Sequence, residues 1–70
     1  MTGYDLKTIA LAGANLIVDA KEYSAYDLKN VAASLFENAT LTIKGASQFS
    51  AYDLKTIASA APGKVCFDFS

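Results

Sequence analysis

The chain has 70 residues, 53% of them hydrophobic, with a net charge of −1, no His and one Cys. That length holds one domain at most, close to the lower limit for folding without a staple, and with Cys66 alone neither an internal disulfide nor a tetrahedral zinc set can form. All six basic residues are Lys, scattered along the chain; without Arg for bidentate phosphate and base contacts, nucleic acid is not the expected partner.

The first element starts at Thr2, a helix N-cap with Asp5 as its capping-box partner and Met1 placed to close a hydrophobic staple on Leu6. Leu6, Ile9 and Ala10 share one helical face and Gly13 is a stop, which predicts a helix over 3–12. At Leu16-Ile17-Val18-Asp19 the period switches to two. Leu16, Val18 and Ala20 fall on one face of a strand, and Ile17, Asp19 and Lys21 on the other.

The same start returns at Ser24, with Asp27 as box partner and Tyr23 and Leu28 as the staple. Leu28, Val31, Ala32 and Leu35 predict a helix over 25–36, stopped at Asn38. A strand over 40–44 follows, with Leu41 and Ile43 opposed to Thr42 and Lys44. The third start is Ser50, with Asp53, Phe49 and Leu54 in the same roles. Leu54, Ile57, Ala58 and Ala61 predict a helix over 51–61, stopped by Pro62-Gly63. The last strand runs over 65–69, with Val65, Phe67 and Phe69 on one face and Cys66 and Asp68 on the other.

Thr2, Ser24 and Ser50 are 22 and then 26 residues apart, so the chain is one domain over 1–70 made of three units, about 1–23, 24–49 and 50–70. Strands joined through helices are parallel, with right-handed crossovers. The expected fold is therefore α/β: a three-stranded parallel sheet with three helices on one face. The other face is left bare, which is uncommon for parallel strands.

Residues Thr8 to Val18 are apolar, and Val18-Asp19-Ala20 has the look of a signal cleavage site. Asp5 cancels Lys7, however, and the same pattern recurs in the interior, so the structural reading is preferred. No apolar run reaches membrane-spanning length. A soluble cytoplasmic protein without a membrane partner is expected, and the unpaired Cys66 fits a reducing compartment.

Leu16-x-Val18-x-x-Lys21-x-Tyr23, followed by Leu28 and the Val31-Ala32 pair, resembles the ribonuclease-inhibitor type of leucine-rich repeat, whose pattern is L-x-L-x-x-N-x-L and then L-x-x-L-A. The second unit is similar through Leu41, Ile43, Phe49, Leu54 and Ile57-Ala58, with one extra residue before Phe49. Lys21 and Ala46 stand where that family carries Asn. The resemblance implies a small LRR-like solenoid, a non-catalytic scaffold that binds proteins through its sheet face. The chain is also similar to short helix–strand repeats in small bacterial and phage proteins.

Three surfaces are candidate sites. On the bare sheet face Asp19, Lys44 and Asp68 line up with alternating sign, beside a row of Ile17, Thr42 and Cys66, with Lys21 at its end. Such a row is either a solvated charge ladder that stabilises the sheet or a mixed patch for a protein partner. Tyr4, Tyr26 and Tyr52 each hold the second helical position. Stacked units put them in one row, where they either pack on each other and the loops or form a binding stripe. The third surface is the uncovered Val65–Phe69 edge strand, which invites pairing with another chain.

Catalysis has thin support: there is no His, Arg or metal cluster, Cys66 has no neighbour in sequence to activate it, and capping accounts for Asp5, Asp27 and Asp53. No cofactor and no enzymatic activity are expected. The functional expectation is a non-catalytic protein-binding module acting by steric occlusion. Its most concrete form is a phage or mobile-element inhibitor of a host defence complex, such as an anti-CRISPR protein, a choice resting on size and character rather than on a motif. The alternative is a structural module that self-assembles as a homodimer through the sheet face or the edge strand.

Overall fold

The computed structural model describes residues 1–69. Three short helices alternate with three strands: α1 (Gly3–Leu11), β1 (Leu16–Asp19), α2 (Ala25–Ala33), β2 (Leu41–Lys44), α3 (Ala51–Ala60) and β3 (Val65–Asp68), with a 3₁₀ turn at Ala46–Gln48 before α3. The fold is α/β with an open, three-stranded, fully parallel sheet in the order β1-β2-β3. Helices of nine or ten residues are too short to persist alone in water, so their caps and their packing must hold them.

The caps are in place. Thr2 Oγ1 accepts from the Asp5 N–H at 3.1 Å, and Ser24 Oγ and Ser50 Oγ accept from the N–H groups of Asp27 and Asp53 at the same distance. The reciprocal bond of a full capping box closes only in α1, where the Thr2 N–H donates to Asp5 Oδ2 at 3.0 Å. In α2 the expected box is half made. Asp27 lies against α1 instead, so close that a Cβ on Gly3 would stand 2.8 Å from its Cγ. A side chain at position 3 would therefore have to displace Asp27.

Backbone and then side-chain hydrogen bonding from Thr2 hold the Asp5 carboxyl below the ordinary aspartate value, outweighing a small opposing desolvation. A depressed folded-state pKa contributes stability above the unfolded value and loses it as pH falls through the folded one. The expected result of a carboxyl NMR titration is a lower midpoint for Asp5 in the folded chain than in a peptide of residues 1–12. Equal midpoints would mean that the box does not form.

Two expectations are corrected at the helix ends. α2 stops at Ala33, not 36. Leu35 tightens onto the Ala32 carbonyl (3.1 Å), the Phe36 N–H turns away to the Ala10 carbonyl of α1 (3.3 Å), and Glu37 takes a positive φ of 43°. The loop thereby drops Leu35 into the core. Met1 does not staple α1, since it is 79% exposed, while Tyr23 and Phe49 at the equivalent positions pack on the core. The four extra residues of the second unit divide between this α2–β2 loop, which takes three, and the β2–α3 connection, which takes one. Gly45 opens that connection in the left-handed region at φ 67°.

One hydrophobic cluster joins the layers. Val18, Leu41 and Ile43 from the sheet meet Leu6, Leu28, Val31 and Ile57 from the helices, and Leu28, Leu41, Ile43, Val31 and Ile57 are the largest side chains fully withdrawn from solvent. All helical contributions meet one face of the sheet. Strand register is uniform, with Leu16, Leu41 and Val65 level and Asp19, Lys44 and Asp68 level.

Candidate interaction surface

The bare sheet face carries Ile17, Thr42 and Cys66 in one row and Asp19, Lys44 and Asp68 in the next. Ile17 is 71% exposed, Cys66 and Lys44 are exposed, and Thr42, Asp19 and Asp68 are partly covered. The charge alternation is real in register, but Asp19 is committed elsewhere: its Oδ1 accepts from the Lys21 N–H at 2.8 Å in the turn after β1. That turn also corrects the placement of Lys21. β1 ends at Asp19, so Lys21 lies beyond the strand and does not extend the face.

On the helical side the three tyrosines stand at equivalent positions of α1, α2 and α3, helices packed side by side in that order. Tyr4 is 76% exposed, Tyr26 67% and Tyr52 74%. Their rings do not stack: among the described residues the aromatic pair is Phe67 with Phe69, centroids 6.2 Å apart. Tyr26 instead has the Lys29 ammonium over its ring, 4.8 Å from the centroid. Tyr4 borders a shallow hollow of about 200 Å³ between α1 and α2, completed by Gly3, Lys7, Asp27 and Asn30. Of the two readings of the tyrosine row, mutual packing is therefore excluded.

A second hollow, about 300 Å³, lies at the opposite ends of the helices. Phe36, half exposed, borders it with Gly13 and Asn15. Asn15 Oδ1 accepts from the Thr40 N–H at 2.9 Å and ties the two loops together. Sequence reasoning missed this feature because it sits at the α2–β2 loop, which is three residues longer than its counterparts and so follows no repeat pattern. Phe36, a second large apolar residue directly after Leu35 in that connection, was the available signal.

Lys64 is also engaged, its ammonium donating to the Leu35 carbonyl at 3.2 Å. Among the described residues no group of three or more Cys, Asp or Glu side chains converges to hold a metal ion, and no helix is long and apolar enough to cross a membrane. No known protein family, curated protein or solved structure matches the chain.

Proposed function

We propose that the protein is a non-catalytic protein-binding module whose primary contact surface is the tyrosine row. The observation that carries this reading is the exposure of three equivalent tyrosines, each about two-thirds or more open to solvent on one side of a small fold. Tyr offers large contact area for two side-chain torsions and is enriched among the residues that dominate interface energies. A stripe of three, spaced by packed helices, costs little ordering on binding. The mechanism is occlusion of a surface on a larger protein, and an inhibitor of a host defence complex is its concrete form. A cytoplasmic setting suits the exposed, unpaired Cys66.

The three units form, in this reading, one short LRR-like solenoid. Its support is the sequential strand order, the constant register and the side-by-side helices. Lys21 and the fully buried Ala46 replace the family's Asn, so the loop-side hydrogen bonding of that family is not reproduced.

Affinity capture from bacterial lysate with two altered baits tests the proposal. Tyr4, Tyr26 and Tyr52 changed together to Ala should lose the captured protein, with affinity falling at least 100-fold and helicity unchanged. Asp19→Lys, Lys44→Asp and Asp68→Lys together should keep it. Loss with the second bait alone would move the site to the sheet face. Retention by both would end the binding reading for either surface.

A further inference from the structure

Each helix has two flanks, and the burial of equivalent residues separates them. Val31 and Ile57 are fully buried, whereas Ile9, the same position on the outer flank of α1, is only partly buried. The reverse holds for the other flank: Leu6 and Leu28 are buried, and Leu54 on the outer flank of α3 is only partly buried. Ala10, Ala32 and Ala58 follow Leu6, Leu28 and Leu54, while Asp5 is more exposed than Asp27 and Asp53, as Ile9 is relative to its equivalents. The leucine flank of one unit thus receives the isoleucine/valine flank of the next. One surface of each kind is left over, at opposite ends of the molecule.

We propose that these two ends are matched docking surfaces for a second copy of this chain, β3 of one copy lying beside β1 of the next, with the carboxylates of Asp68 and Asp19 opposing the contact. The internal seams supply the template. The Leu16 N–H donates to the Thr40 carbonyl and the Leu41 N–H to the Lys64 carbonyl, both at 2.9 Å. One step further, the Val65 N–H meets the Asn15 carbonyl of the second copy, and Leu54 and Ala58 meet its Ile9. The seam differs from the internal ones in its charge row. Asp19 faces Lys44 and Lys44 faces Asp68 within the chain, but the next residue in register after Asp68 is the second copy's Asp19. Like charges directly opposite weaken strand pairing, and charges on an edge strand are a common guard against unwanted association. The contact is heterologous, so copies that overcome it add in an open series rather than closing as a dimer.

The test is sedimentation velocity on the wild type, on a charge-reversed chain (Asp19→Lys, Lys44→Asp, Asp68→Lys), and on their equimolar mixture. Reversal keeps the alternation inside each chain and like charges between identical copies. It makes unlike copies attract at the seam. The mixture is expected to associate about tenfold more tightly than either protein alone, in a ladder of sizes beyond the dimer. A mixture no heavier than its components, or one that stops at a dimer, overturns the proposal. Lys at position 19 forfeits the turn bond to Lys21, so a second variant guards against misfolding: Asp19→Asn with Asp68→Asn, which keeps an acceptor at position 19. It should self-associate a few-fold more tightly than the wild type, and an unchanged size distribution overturns the proposal equally.

Discussion

Leu28→Ala is expected to cost about 2–5 kcal/mol, and Leu54→Ala no more than about 1–2 kcal/mol, although the two residues occupy the same position in adjacent repeats. Leu28 has no exposed surface and belongs to the cluster that joins sheet and helices, so truncation leaves a cavity with packed atoms on every side. Leu54 lies on the outer flank of α3, packed on the core but already partly open to solvent; water takes the vacated space, and the loss is only a partial transfer term. A chain of this length has about 3–10 kcal/mol of stability in total. Leu28→Ala should therefore leave a mostly unfolded or barely cooperative protein at room temperature, while Leu54→Ala shifts the urea midpoint modestly. Equal costs in paired urea melts would mean that α3 is covered on both sides, contrary to the flank assignment.

What the sequence made legible was whatever local chemistry and repetition decide. Thr2, Ser24 and Ser50 mark helix starts because an oxygen at the N-cap satisfies an amide that nothing else can reach. The period-two runs at Leu16, Leu41 and Val65 give strands, and their alternation sorted Ile17, Thr42, Lys44 and Cys66 onto the open face. The parallel sheet followed from the connecting helices alone.

What stayed hidden needed a neighbour. α2 ends early because Phe36 finds an acceptor on α1, a bond between residues 26 positions apart in sequence. Met1 fails as a staple although its apolar chemistry suits the position. Lys21 leaves the sheet because Asp19 captures its amide. The sequence places the tyrosines in a row but leaves their exposure open, since exposure depends on how closely helices approach. Above all, Leu6, Ile9 and Ala10 read as a single apolar face, and only the three-way comparison of burial divides that face into the two flanks that meet across each seam.

The alanines make the sharpest use of that division. Ala10, Ala32 and Ala58 are equivalent, and the first two are buried at 0% and 1% on the flank that receives the next helix. A side chain of one carbon there lets neighbouring helices approach closely. Ala32→Leu forces three further carbons between α2 and α3, and because this interior has no slack it must shift a helix or strain a rotamer. The expected cost is about 1–3 kcal/mol or more, a large share of the total, seen as a lowered melting temperature. Ala58→Leu meets no helix on the outer flank of α3, so stability should stay within about 0.5 kcal/mol of the wild type. The same substitution should act strongly on association instead. If the outer flank of α3 receives α1 of another copy as α2 receives α3, an added Leu obstructs that seam as it does at position 32. Ala58→Leu in the wild-type partner should then shorten the ladder formed with the charge-reversed chain. A stable, fully associating Ala58→Leu protein would show that copies meet through some surface other than the one the repeat left uncovered.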